Sequence, residues 1–180
     1  MYKRQTLYVR LEVDETGCYA TTTQELIVNP IPTVLVGPTY EVCDDDYDGI
    51  GSYDLSTLDE TLLDGQTGVS ISYYESQEDA DNATNVLDVN YQNTVPDNQT
   101  LYVRLEVDET GCYATTTQDL IVHPLPEIIV PTPLEECDDD YDGIVSFFDL
   151  SQKTEEILNG QTGISVSYYE TLENAFSRVS

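Results

Sequence analysis

The chain has 180 residues, of which 39% are hydrophobic, enough apolar content for a packed core and too much for a disordered chain. Its 35 acidic residues against 6 basic ones set a formal net charge of −29, a field that repels nucleic acid and anionic lipid and recruits cations. No apolar run approaches the ~20 residues of a membrane-spanning helix, so neither membrane insertion nor a nucleic-acid partner is expected.

The opening MYKRQ carries two of the six basic residues and reads as foreign to the rest of the chain, not as a targeting segment; the whole reads as an excerpt of a longer chain. From Gln5 to Val28 runs QTLYVRLEVDETGCYATTTQELIV, which returns at Gln99–Val122 with Glu25 replaced by Asp119. In the second copy Leu101, Val103, Leu105 and Val107 alternate with Tyr102, Arg104, Glu106 and Asp108, the period of a half-buried strand. A turn at ETG, with Gly111 able to take positive φ, and a second strand from Cys112 make a hairpin. NPIP (Asn29–Pro32) and HPLP (His123–Pro126) then read as short, semi-rigid junctions.

Next comes CDDDYDGI, at Cys43–Ile50 and again at Cys137–Ile144. The segment from Ser56 to Gly65 places leucines at helical spacing between a serine fit to cap a helix and a glycine fit to end one, and it recurs from Ser151. Val69–Glu75 alternates as a strand, and Asn85–Gln92 is a weaker one. The repeat period of 94 residues, with one insertion near Phe147–Phe148, suits a small stand-alone domain. Residues 1–30 are then the end of one repeat, 31–124 a complete repeat, and 125–180 the front of another. About seven short strands and one short helix per repeat predict an all-β chain of tandem immunoglobulin-like or fibronectin-type β-sandwich modules.

The acidic loop explains its own charge density if a cation sits in it. Asp44, Asp46 and Asp48 followed by Gly49, and Asp138, Asp140 and Asp142 followed by Gly143, form D-x-D-x-D-G, which aims carboxylates at one centre around a sharp turn. Oxygen ligands of this kind select Ca2+. Ile50 and Ile144 would add backbone carbonyls, and Asp54 and Asp149 carboxylates near the twelfth position. The one-residue shift between Asp54 and Asp149, and the strand-like sequence before the loop, make this an EF-hand-like loop grafted on a β-domain.

Four cysteines without C-x-x-C spacing, beside a single histidine, favour disulfides over zinc. Within the complete repeat the pair is Cys43–Cys112, a closed loop that stabilises by about 4 kcal/mol on the chain-entropy account. Cys18 and Cys137 are then partnerless or intermolecular. The alternative, Cys18–Cys43 with Cys112–Cys137, bridges neighbouring modules. Residues 1–30 and 125–175 are complementary halves of one module, and head-to-tail exchange between copies is geometrically easier than closure within one chain.

Taken together, CDDDYDGIGSYDLS, GQTGVSISYYES and QTLYVRLEVDETGCYATTTQELIVNPIP resemble the tandem modules of large cell-surface proteins of Bacteroidota, especially marine flavobacteria. The resemblance implies adhesin-like stalks exported by type 9 secretion and anchored at the cell surface. No phosphate loop or nucleophile elbow is present, and His123 sits alone beside Pro124, so no enzyme is expected. The expected function is a non-catalytic, extracellular, calcium-stabilised structural repeat whose partners are neighbouring repeats or copies of itself. The alternative is a carbohydrate- or surface-binding module, with Tyr73–Tyr74 and Tyr168–Tyr169 stacking on sugar rings of surface glycans.

Overall fold

The computed structural model describes residues 3–138, 142–145 and 147–176. It divides into two compact units, residues 1–124 and 125–180. No helix among the described residues is long and apolar enough to cross a membrane.

The first unit begins with the expected hairpin, β1 (Lys3–Glu12) antiparallel to β2 (Tyr19–Val28). Its turn is closed by Gly17 N–H donating to Val13 O at 2.8 Å, with Gly17 at φ 67°, a conformation that costs a glycine nothing. Every residue of both strands is exposed. Strand formation here is decided by the local turn and the paired backbone, without a core behind it.

The complete repeat contains six strands: β3 (Tyr40–Cys43), β4 (Ser52–Asp54), β5 (Val69–Tyr74), β6 (Asn90–Gln92), β7 (Asn98–Val107) and β8 (Tyr113–His123). Four form one sheet in the order β3-β8-β7-β5, and β4 and β6 form a second, two-stranded sheet. The alternation read along β7 is the one observed: Leu101, Val103 and Leu105 are buried in the core with Leu120 and Val122 of β8. Tyr53 of β4, Tyr91 of β6 and Leu55, Leu58 and Leu62 complete that core from the other side.

The first strand runs parallel to the last. Tyr40 faces Leu120 and Cys43 faces His123, so β3 ends where β8 ends. Gly37 makes this approach possible, since a Cβ there would come within 3.2 Å of Leu62 and still closer to the Gln118 amide. No local pattern announces such a pairing, because it joins residues about eighty positions apart.

The helical content is larger than one helix. A 3₁₀ turn (Leu55–Leu58) leads into α1 (Asp59–Leu63). Asp54, not Ser56, is the cap: its carboxylate accepts from Ser56 N–H at 3.2 Å and from Ser56 Oγ at 2.6 Å. The helix ends in left-handed geometry at Asp64 and Gly65. A further helix, α2 (Gln77–Asn82), follows β5. Ser76 Oγ accepts from Asp79 N–H at 3.1 Å and donates to Asp79 Oδ2 at 2.6 Å, a reciprocal cap of the S-x-x-[DE] kind. This helix packs on β5 and β7. Arg104, whose alternation places it opposite the core face, donates to Ala80 O at 2.8 Å and Asp81 O at 3.1 Å, and pairs with Glu106. A cation thereby satisfies the last carbonyls of α2.

In the second unit a 3₁₀ turn (Leu150–Lys153), α3 (Thr154–Leu158) and α4 (Leu172–Phe176) repeat the helical elements. Asp149 caps that turn through Ser151 as Asp54 does through Ser56. Residues 164–169, whose counterparts form β5, are not in a strand. A strand needs a neighbour to hydrogen-bond with, and the β7 counterpart is not among residues 125–176.

Candidate metal centre and the two poles of a module

The acidic loop follows β3. Asp44 N–H donates to His123 O at 2.8 Å, fixing the start of the loop to the end of β8. Asp44 is buried, and its carboxylate is held by the loop's own backbone: Oδ1 accepts from Asp46 N–H (3.1 Å) and Tyr47 N–H (3.0 Å), Oδ2 from Gly49 N–H (2.9 Å). Burial pushes the Asp44 carboxyl up, but these amide donors outweigh it and leave the group below the usual carboxylate range. Asp48 accepts from Ile50 N–H at 2.7 Å. Asp46 goes the other way: burial first, then the Asp48 and Asp45 carboxylates, raise it.

The repulsion is therefore relieved unevenly: backbone amides prevail at Asp44, while at Asp46 the Asp48 amide does not offset the causes that raise it. Among the described residues, Asp44, Asp46 and Asp48 are the one acidic group whose oxygens lie together, all within 4.8 Å of one another. That spacing and the hard oxygen donors fit a divalent cation such as Ca2+, and an ion there would lower Asp46 as amides lower Asp44. Asp54 is not in the group. Its Oδ1 caps the 3₁₀ turn, and Asp149 Oδ1 caps the later one in the same way. Ile50 enters through its N–H to Asp48, and Ile144 through its N–H to Asp142 at 2.7 Å. In the later loop Gly143 N–H donates to Asp138 at 2.9 Å, matching Gly49 and Asp44, while Asp140 lies outside the described residues.

Two residues that the sequence did not single out brace the first loop. Asn93 is buried, accepts from Gly51 N–H at 2.6 Å and donates to Gly49 O at 2.9 Å and Val95 O at 2.8 Å. Asp97 N–H donates to Gly49 O at 3.0 Å, and its carboxylate lies against Gly49, where a Cβ would come within 2.8 Å of it. An asparagine after a weak strand carries no motif, so only the packing reveals it.

The same strand register settles the cysteines' placement. Cys43 stands beside His123 at the end of β8, while Cys112 directly precedes its first residue, Tyr113. A strand of 11 residues spans roughly 35 Å at ~3.3 Å per residue, and a disulfide needs Cα atoms within about 7 Å. The expected Cys43–Cys112 bond is therefore corrected: the two lie at opposite poles of the module. No two of the four cysteines lie bonded to each other; three are exposed and Cys112 is half-buried. His123, at the Cys43 pole, pairs with Glu41 at 2.9 Å as an exposed surface group.

Of the two tyrosine pairs expected to stack on sugars, Tyr168 and Tyr169 are exposed, and the pair of the complete module is not. Tyr73 enters the core and donates to Leu55 O at 3.1 Å and Asp59 Oδ1 at 2.7 Å. Burial, then the Asp59 contact, hold its phenol far above its ordinary range. Tyr74 is buried too, so neither ring of the complete module offers a stacking face.

A family model described as the Flavobacterium inter-domain disulphide bond domain matches residues 39–126 and again 133–180. No curated protein matches the chain.

Proposed function

The chain belongs to the Flavobacterium inter-domain disulphide bond domain family, and on that premise we propose that it is a stretch of a non-catalytic extracellular rod. Its modules read as β-sandwiches of immunoglobulin-like class, with β4–β6 and α1 laid over one face of the four-stranded sheet and α2 over the other. They follow one another head to tail and are stiffened by Ca2+ and by disulfides between modules. Such a rod displays an adhesive partner at the surface of a flavobacterial cell, after export to a compartment oxidising enough for disulfides.

One observation carries this reading: the acidic loop begins on His123 O, at the pole from which the chain leaves for the next module. A cation bound there neutralises the charge that would otherwise push consecutive modules apart. A glycan-binding role lacks its aromatic platform in the complete module, where Tyr73 and Tyr74 are both buried; Tyr168 and Tyr169, the other pair, are exposed.

The test is calorimetry on EDTA-treated protein. Extracellular loops of this class bind Ca2+ at about 10⁻⁴–10⁻³ M. Calcium at ten times its Kd stabilises the folded chain by about 1.4 kcal/mol, a rise in Tm of roughly 5 °C or more for a module of this size. Asp46→Asn removes most of the response. No heat of binding and no change in Tm up to tens of millimolar calcium sinks the calcium reading.

A further inference from the structure

Among the asparagines of this chain, Asn159 alone is followed by glycine. The order matters chemically. The residue after an asparagine supplies the backbone nitrogen that can close on the side-chain amide, and only glycine brings no Cβ into that approach.

The local structure leaves both reacting groups open. Asn159 ends α3 in left-handed geometry, φ 46° and ψ 37°, with its N–H donating to Glu155 O at 3.2 Å. Both residues are exposed, and a Cβ placed on Gly160 would meet nothing within 4 Å. Among the described residues, nothing is hydrogen-bonded to the Asn159 side chain or to the Gly160 N–H. Other asparagines are held. Asn82 donates to Glu78 O at 2.8 Å and Asn85 to Asp79 Oδ1 at 2.7 Å, Asn93 is buried and bonded through both side-chain atoms, and Asn29 precedes a proline.

The complete module shows that the exposure belongs to the position itself. Asp64 and Gly65 stand at the same place, Asp64 at φ 47° and ψ 43°, both exposed, and a Cβ on Gly65 would also meet nothing within 4 Å.

We propose that Asn159 is a site of covalent self-modification, at which Gly160 N closes on the Asn159 side chain and the resulting cyclic imide opens to aspartate or isoaspartate. Gly160 N bonds to Asn159 Cγ and the Cγ–Nδ2 bond breaks. Nδ2 departs as ammonia, carrying the Gly160 amide proton. Water then opens the ring. Attack at Cγ restores the original backbone and leaves aspartate; attack at the main-chain carbonyl routes the backbone through Cγ and leaves isoaspartate. Water is consumed and ammonia released, and nothing is oxidised or reduced.

The fold sets the rate. At ψ 37° the Gly160 nitrogen lies anti to the Asn159 Cβ, so the last turn of α3 must open before the ring can close. A helix of five residues does not hold itself. Gln161 latches it: its N–H donates to Leu158 O at 2.8 Å, and its Nε2 donates to Leu158 O at 3.1 Å and to Glu127 O at 3.0 Å. Its Oε1 accepts from Glu127 N–H at 2.8 Å. The aspartate product fits this arrangement, because Gln66 makes the same latch to Leu63 and Thr33 beside Asp64. Isoaspartate does not. Its extra main-chain carbon falls between Leu158 and Gln161, moves the latch out of register and frees the segment at Glu127. The modification therefore loosens the very contact that restrains it, and it proceeds independently of the calcium loop.

The test incubates the full chain in mildly alkaline buffer, natively and in urea, and follows each asparagine by peptide mass mapping. Isoaspartate is read by methyl transfer from labelled S-adenosylmethionine with an isoaspartyl methyltransferase. In the native chain the amide-to-acid mass gain should appear first at Asn159, as two separable products, more slowly than in urea. Gln161→Ala should speed it about fivefold, the shift in opening expected from losing one hydrogen bond. Gln161→Glu, which keeps the acceptor and loses the side-chain donors, covers the case in which the alanine variant unfolds, and should also react faster than wild type. Asn159→Asp should melt as wild type does. Prior conversion of any other asparagine overturns the proposal, as does an intact Asn159 in the native chain after complete conversion in urea. Unchanged rates in both folded Gln161 variants overturn the latch.

Discussion

Two hairpins in this molecule are almost the same sequence in different surroundings. β7–β8 and β1–β2 share their turn, their register and the Arg–Glu–Tyr cluster, yet one has a core behind it and the other has none. The comparison separates what strand pairing needs from what burial adds. Pairing and turn geometry are satisfied within the segment, because every backbone bond across a hairpin is local. Burial is a property of the partner surface.

The largest expected difference between the two comes from the core. Leu105→Ala should cost about 2–5 kcal/mol, because it opens a cavity at a fully buried site. Leu11→Ala, at the identical position of β1–β2, should leave the dilute, reduced chain unchanged. Urea unfolding followed by circular dichroism measures both, and equal effects would mean that the first hairpin is already covered in solution.

A smaller difference is expected at the arginines. Arg104→Ala strands the buried Ala80 carbonyl and unpairs the more exposed Asp81 carbonyl and Glu106 carboxylate, at about 1–3 kcal/mol. Arg10→Ala removes an exposed pair and should stay within about 0.5 kcal/mol.

The smallest effect concerns α2 and its counterpart. Hydrogen bonds from Ser76, Asn85 and Thr84 hold the Asp79 carboxyl below its ordinary value of 3.8. A group whose pKa falls on folding contributes stability above its unfolded pKa and loses it as pH falls through the folded value. The gap in Tm between wild type and Asp79→Asn should therefore be full near neutral pH and shrink below pH 3.8. Asn174, at the same place before the end of α4, has no carboxylate to titrate.

Much of this is readable in the residues. Alternation marks β7 and β8, and Gly111 takes the positive φ that its turn requires. The D-x-D-x-D-G spacing does bring Asp44, Asp46 and Asp48 together. Helix α2 also has a local signature, the cap carried by Ser76 and Asp79, but it is too short to show a periodic apolar face. Other features have no local signature. The parallel pairing of β3 with β8 depends on tertiary closure, and it moves Cys43 to the pole opposite Cys112. Asp54 also caps a 3₁₀ turn through Oδ1, a role that its place in the D-x-D-x-D-G register does not announce.

The parallel course of β3 and β8 has a mechanical consequence. Tension along a tandem array pulls the module apart at its two chain ends, near residues 31 and 124. The first and last strands then slide along each other, so that the bonds between Tyr40–Cys43 and Leu120–His123 are strained together in shear instead of opening one at a time like a zipper. Bonds loaded together in this way give way at a higher force than the same bonds opened one after another.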